Sequence, residues 1–342
     1  MHQQNNQQNP RTLLSIIIAA HNEEDVIEER ISNILDTGSE DFDFEIIVMA
    51  DGCTDGTVAK VRHLHTRDRP ISVYETKSRG RANAHNEAHA LAQGDILFFT
   101  DAETEYAPGF LDILGHAFDD QQVGFASGQL GWKNRDQQTA AAHFSLYWRF
   151  EIWLRKMETR LDIHALGTGA CCAVRKPFYR PIPRQEDVDF TTPLDVVLQG
   201  KICVFVPEAR AYDYAAATLS EEFPARVRMT AKNFNGTLRF FPAILRKWAG
   251  LTLIFHKIGR WLTPFFACVV LLTGTGLMAL GEATLLQNIL TVSVWTFIAA
   301  GLVGAFAPTL PIVGQIWSFL VSNAGFALGV IRSLQKKAPV SW

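Results

Sequence analysis

Three acids stand two residues apart in the stretch ILFFTDAETEY (96–106): Asp101, Glu103 and Glu105. In an extended chain alternate residues share a side, so this spacing aims all three carboxylates the same way. A D-x-E pair where a strand ends is an arrangement that holds a hard divalent cation against phosphate oxygens. Alone the pattern is weak, because acids in such loops are more often simply solvated. A further acid, Asp51, closes a second apolar run, FEIIVMAD (44–51), and is expected to face the same crevice. Asp101 and Glu103 are therefore the candidate metal ligands, whereas Glu105 reads as a cap on the following segment.

The elements that must position these acids alternate in type. LLSIIIAA (13–20), FEIIVMAD, ISVYET and DILFFTD are short, apolar and rich in branched residues, as strands covered on both faces should be. Between them, NEEDVIEERISNILDTG (22–38), TVAKVRHLHTR and RANAHNEAHALAQG carry helical spacing and close on Gly38 and Gly94 in the first and third cases. Such alternation predicts an α/β domain with a mostly parallel sheet and helices on both sides. In open sheets of that kind ligands bind beyond the carboxyl ends of the strands. The residues there are AHNEE, ADGCTDGT, ETKSRGR and TDAETE, four polar or acidic clusters in a row. No G-x-G-x-x-G follows the first strand and no G-x-x-x-x-G-K-[ST] occurs, which excludes dinucleotide and P-loop readings. A diphosphate bound without a glycine loop needs a metal ion together with Arg or Lys.

The chain has 342 residues and a formal charge of −3. From Arg246 onward seven basic residues oppose Glu282 alone, which leaves −9 on residues 1–245. An acidic body argues against nucleic acid as a partner, since phosphate neutralisation needs a basic face. Between Leu262 and Ile331 the sole charged residue is Glu282. About 20 apolar residues in a helix span a hydrocarbon core, so 262–331 is expected to make about three transmembrane passes, with PTLP (308–311) as a turn. The polar first residues, 1–11, hold no apolar core, so no signal peptide is expected and the body is expected to stay in the cytoplasm. Arg246, Lys247, Lys257 and Arg260 before the first span agree with the positive-inside bias, although three passes put Arg332, Lys336 and Lys337 on the far side. WAGLTLIFHKIGRW (248–261) reads as an interfacial helix, and the Trp- and Arg-rich stretch 136–161 as interfacial or as an amphipathic core helix. The five cysteines form no metal-ligand spacing, and the vicinal Cys171–Cys172 pair reads as core filling.

Taken in order, these stretches resemble the family 2 glycosyltransferases, membrane-associated inverting enzymes of the GT-A fold related to cellulose, chitin and hyaluronan synthases. SIIIAAHNEE resembles the opening strand motif, with Ala19 where Pro is usual. VMADGCTDGT resembles D-G-S-x-D-G-T, with Cys53 in the Ser place. ETKSRGRANAHNEAHALAQGDILFFTDAET resembles the run ending in the D-x-D metal motif, QEDVDF (185–190) the E-D motif of the catalytic base, and FPARVRM (223–229) the Q-R-x-R-W element. The resemblance covers roughly residues 13–331. It implies a polar tail at 1–11, a GT-A nucleotide-sugar domain at 12–245, an interfacial helix at 246–261, spans at 262–331 and a polar tail at 332–342. Glu23 and Asp51 would contact the base and ribose of a UDP- or GDP-sugar, with Arg81 on the same side. Asp101 and Glu103 would hold Mg²⁺ or Mn²⁺ on its diphosphate, and Arg226 and Arg228 would steady that diphosphate as it leaves. Asp187 would take the proton of an acceptor hydroxyl; Glu186, on the substrate side, and Asp189 compete with it. Asp55 reads as a turn or cap residue, Arg79 as solvated and His164 as an incidental loop histidine.

The departures from the family pattern narrow the expected activity. Glu103 replaces the usual second Asp and keeps its charge. Ala225 and Met229 replace the Gln and Trp of the last element, removing a stacking platform that processive synthases use. The expected enzyme is thus non-processive, acting on a lipid-linked or membrane-associated saccharide or lipid at the inner (plasma) membrane. Two alternatives stay open: a polyprenyl-phosphate glycosyltransferase, which needs no base, and a catalytically silent membrane scaffold of the same fold.

Overall fold

The structure, a computed structural model, describes residues 11–65, 70–77, 80–133, 145–214, 219–307 and 310–337. The chain forms two compact units, one of residues 1–133, 152–214 and 340–342, the other of 134–151 and 215–339.

In the first unit the order is β1 (Leu13–Ala20), α1 (Ile27–Thr37), β2 (Asp43–Asp51), α2 (Thr57–Leu64), β3 (Ile71–Thr76), α3 (Arg81–Leu91) and β4 (Ile96–Thr100). Next come β5 (Glu105–Tyr106), α4 (Phe110–Gly115) and β6 (Val123–Trp132), then α5 (Ser145–Arg160), whose residues 152–160 belong here. β7 (Cys172–Arg175), α6 (Val188–Leu198) and β8 (Ile202–Asp213) complete it. The eight strands make one sheet in the order β3-β2-β1-β4-β7-β6-β8-β5. β3, β2, β1 and β4 run parallel, β7 is antiparallel to β4 and to β6, β8 is parallel to β6, and β5 is antiparallel to β8. The sheet is mixed, with its parallel half first in sequence.

Alternation along β1 explains why its apolar run is continuous. Ile16 and Ile18 pack with Ile27, Ile31 and Ile34 of α1 on one face. Ile17 and Ala19 pack with Ala82, Ala84 and Ala88 of α3 on the other. Each fully buried Ile contributes roughly 1.5–3 kcal/mol, and the small residues of α3 let that helix lie close to the sheet. Gly94, where the chain turns into β4, is fixed by close approach: a Cβ there would lie 2.7 Å from Leu13 O and from Ser15 N.

α1 starts at Ile27 instead of Asn22 because the preceding residues are held elsewhere. Glu23 N donates to Thr57 Oγ1 at 2.8 Å and Glu24 N to Asp55 Oδ2 at 3.1 Å. Asn22 accordingly takes a left-handed φ of 58°. Those bonds turn the head of the sequence-predicted helix into a loop above the sheet.

The second unit contains α7 (Leu219–Ile244), α8 (Ala249–Ala279), α9 (Leu285–Phe306) and α10 (Pro311–Leu334). Three helices are long and apolar enough to cross a membrane, Ala249–Ala279, Leu285–Phe306 and Ile312–Leu334. The stretch expected as a separate interfacial helix is instead the head of α8, which passes through a π-helical segment at Leu253–Ile258 without ending. There His256 Nε2 meets Glu151 Oε2 at 2.7 Å, both side chains buried. A capping box, Thr284 with Gln287, starts α9. Small residues set the helix spacing, as apolar solvent requires: Gly274 lies against Thr291, Gly301 against Leu320, and Gly304 against the Val313 carbonyl. Of the turn expected at 308–311, residues 308 and 309 lie outside the described residues, as do the residues of the expected tails at 1–10 and 338–342, those of the helical stretch before 145, and Arg79.

Candidate active site

Asp51 is the most deeply placed of the expected site acids. It is fully buried at the end of β2, where its carboxylate accepts from Thr76 Oγ1 at 3.3 Å and from the backbone N–H of Gly80. Gly80 has φ 125°, a conformation that L side chains rarely adopt. Holding that peptide in place sets the first residue of α3, Arg81, whose guanidinium forms an ion pair with Asp101 just past β4. Two acids on separate strands are thus joined through one backbone amide and one arginine.

Around Asp101 the negative charge is concentrated. Burial pushes the Glu103 carboxyl up, with repulsion from Asp213 adding to it. Asp213, at the end of β8, is itself raised by burial, which outweighs the opposing pull of Lys133, Arg81 and Arg30. Glu23 is pushed from 4.5 up to about 7, first by burial, then by repulsion from Glu103 and Asp55. Glu23, Glu103 and Asp213 therefore share one electrostatic neighbourhood. Asp213 escaped the sequence reading because VFVPEARAYD was not recognised as a strand; the strand-end rule applied to it would have found the acid. Glu105 stands apart, paired with Lys133. Asp55 accepts from Thr57 Oγ1 at 2.6 Å and from Thr57 N at 3.1 Å, a local turn that also orders the Glu23 loop. Cys53, in the Ser place of the motif, accepts from Asn22 N at 3.4 Å and reaches the Ala20 carbonyl at 3.5 Å.

The segment QEDVDF forms the start of α6. Glu186 is buried and accepts from Thr191 Oγ1 at 2.9 Å. Asp187 is half-buried at the N-cap, with Thr191 N returning to its carbonyl at 3.0 Å. Asp189, in the first turn, approaches Gly169: a Cβ there would lie 3.6 Å from Asp189 Cγ and 3.5 Å from Arg81 Nη2. The structure thus brings Asp189 and the Arg81–Asp101 pair to one glycine. The loop holding that glycine is tied by Asp189 O to Gly167 N at 2.8 Å and by Arg155 Nη1 to Thr168 Oγ1 at 2.9 Å. His164 is buried against Glu158 Oε2 at 3.0 Å. Cys171 and Cys172 are fully buried beside the same loop, which raises both thiols well above their ordinary range.

Arg226 and Arg228 belong to the second unit, on α7. Arg226 pairs with Glu222 one turn earlier and lies over Phe326 of α10 at 5.3 Å, while Arg228 is half-exposed. Met229 beside them is exposed.

Residues 15–182 match the family model described as Glycosyl transferase family 2. Residues 15–182 thus resemble a family 2 glycosyltransferase domain. The chain is 33% identical over 91 residues to a poly-β-1,6-N-acetyl-D-glucosamine synthase of Staphylococcus aureus, an alignment covering 27% of this chain and 22% of that one. It is 25% identical over 258 residues to an N-acetylglucosaminyltransferase of Sinorhizobium fredii, covering 70% of this chain and 60% of the relative. The chain thus spans less than two thirds of the length of these curated relatives. Among solved structures it resembles a mannosyltransferase from Pyrobaculum calidifontis in complex with GDP-Man and Mn²⁺, with a TM-score of 0.68, 21% identity, and coverage of 96% of this chain and 88% of that one. That likeness shows a GT-A-like α/β fold.

The donor set at this strand edge is compatible with a divalent ion bound mainly by phosphate oxygens and water. Among the described residues no three His, Cys, Asp or Glu side chains converge on one point, so an ion held by the expected pair, Asp101 and Glu103, would draw the rest of its shell from elsewhere. Mg²⁺ and Mn²⁺ sites of this type use one or two carboxylates, with phosphate oxygens and water completing the shell. Burial raises Glu103, Asp213 and Glu23 alike, with repulsion from Asp213 adding at Glu103 and repulsion from Glu103 adding at Glu23, a strain that a nearby cation would relieve.

Proposed function

We propose that this protein is an inverting, metal-dependent glycosyltransferase, moving one sugar from a UDP- or GDP-sugar to a hydroxyl of a lipid-linked or membrane-associated saccharide or lipid acceptor. The observation that carries the reading is the gathering of Glu23, Asp101, Glu103 and Asp213 at strand ends, with Arg81 on Asp101 and beside Asp189. Asp101 and Glu103 would hold Mg²⁺ or Mn²⁺, and such an ion would supply neutralisation of the charge developing on the departing diphosphate. Glu23 faces the nucleotide, and Asp51 serves it by fixing the Gly80–Arg81 backbone against which base and ribose would rest. Arg226 and Arg228 add positive charge for the leaving group.

Asp187 accepts the hydroxyl proton as the acceptor oxygen attacks the anomeric carbon. The bond from that carbon to the diphosphate breaks on the opposite face, so the configuration inverts. A hydroxyl is a poor nucleophile without such a base, and Asp187 stands half-buried at a helix N-terminus, where a carboxylate is favoured. Ala225 and Met229 support transfer of one or a few sugars rather than processive synthesis. The charge-poor helices 262–331 and the preceding basic residues support a multi-pass protein in the inner (plasma) membrane with its catalytic unit on the cytoplasmic side.

The test is Asp187→Asn in full-length, detergent-solubilised protein. Sugar transfer is expected to fall about 10²–10⁴-fold while Mn²⁺-dependent nucleotide binding persists. Near-normal transfer overturns the assignment of the base. A charged-lipid product from added polyprenyl phosphate replaces the hydroxyl acceptor with a phosphate one.

A further inference from the structure

The loop 101–105, which carries Asp101 and Glu103, is gripped at both ends by one face of α1. At its start Arg30 Nη2 donates to Thr100 Oγ1 at 2.8 Å, and that hydroxyl donates on to the Ala170 carbonyl at 2.9 Å. At its end Asn33 takes the Tyr106 backbone with both amide atoms: Tyr106 N donates to Oδ1 at 2.8 Å and Nδ2 donates to Tyr106 O at 3.0 Å. Arg30 Nη1 donates to Asn33 Oδ1 at 2.5 Å, joining the two grips. The Arg30 guanidinium also lies 4.0 Å from the Tyr106 ring centroid, and that ring stacks on Phe110 at 3.8 Å.

Arg30 is 2% exposed and Thr100 fully buried. A buried charge often costs more than an apolar residue of similar size, so its presence here points to a use other than stability. The use on offer is mechanical. Thr100 and Tyr106 flank the segment that carries Asp101 and Glu103, so gripping both fixes the points from which that segment starts and ends. Resting on the reading of Asp101 and Glu103 as the metal pair, we propose that Arg30 and Asn33 are positioning residues that clamp Thr100 and Tyr106 and so hold the two carboxylates at the spacing a divalent cation needs. Neither residue touches the cation. Through Ala170 the clamp also reaches the loop whose Gly169 lies beside Arg81 and Asp189.

The experiment uses full-length protein in detergent, with Mn²⁺ as the metal and UDP and GDP as probes. In Asn33→Ala the Mn²⁺ concentration for half-maximal nucleotide binding rises about 10-fold or more, the scale of lost outer support at metal sites, while binding at saturating Mn²⁺ is unchanged. Arg30→Met shifts it further, and Arg30→Lys, which keeps the charge and one donor, recovers part of the loss. Amide exchange across 101–106 quickens in Asn33→Ala, while β1 stays protected. An unchanged Mn²⁺ titration overturns the proposal, and so does loss of protection throughout the sheet, which marks a merely structural role. If the unaltered protein binds neither nucleotide with Mn²⁺, the functional reading falls, and the exchange pattern alone decides the clamp: faster exchange confined to 101–106 keeps it, and none removes it.

Discussion

Replacing Glu23 with Gln should stabilise the metal-free protein, and only at neutral or alkaline pH. Burial, then Glu103 and Asp55, push this carboxyl from 4.5 to about 7. Below pH 4.5 Glu23 is protonated both folded and unfolded, and the site costs nothing. As pH rises to about 7 the unfolded chain ionises freely while the folded one must ionise against its neighbours, so stability is lost across that window. At ~1.4 kcal/mol per tenfold change in acidity the full displacement amounts to roughly 3 kcal/mol. Half-burial and solvent screening reduce this to about 1–2 kcal/mol. For a domain of this size, that is on the order of 2–8 °C in Tm. The assay is thermal unfolding in detergent with EDTA, from pH 4.5 to 8.5. E23Q should melt higher than the parent protein at pH 8.5 and match it at pH 4.5, and Mn²⁺ should narrow the gap by stabilising the parent. An advantage of equal size at both pH values, or none in EDTA at pH 8.5, refutes the electrostatic reasoning.

Other outcomes follow from the same geometry. Asp187→Asn should leave nucleotide binding intact while transfer collapses, as measured by product formation. Asp101→Ala, like EDTA on the unaltered protein, should reduce UDP or GDP binding in calorimetry by 10-fold or more; unchanged binding removes the metal pair. Gly94→Ala drives a methyl into the β1 backbone, with contacts of 2.7 Å to Leu13 O and Ser15 N, and should cost about 1–3 kcal/mol in thermal unfolding; an unaltered Tm shows that the turn can open.

The parallel half of the sheet was legible because its strands are buried on both faces. LLSIIIAA and ISVYET coincide with β1 and β3 to the residue. The remainder was harder because its information is not local. β6, β7 and β8 come together by pairings between distant segments, and no periodicity in VFVPEARAYD announces its place next to β6. The acids Asp101 and Glu103 could be nominated from spacing, and Glu105 demoted, but its partner Lys133 could not be named. Asp51 was expected to face the ligand; its burial and its bond to the Gly80 amide of the next loop could not be read from the strand that carries it. Arg30 was not singled out by the sequence, because the Tyr106 ring that it lies against is 76 residues further along the chain.

The link from Asp51 through Gly80 and Arg81 to Asp101 bears on how genetics of this site should be interpreted. Asp51→Ala would score as a lost nucleotide contact, although the damage is delivered two strands away at Asp101. Asp51 and Asp101 should therefore behave as one unit in a double-mutant cycle, their combined loss in nucleotide binding falling short of the sum of the single losses by more than the 0.3–0.5 kcal/mol or so seen for independent sites. Ranking site residues by the severity of single substitutions would count the same arginine twice.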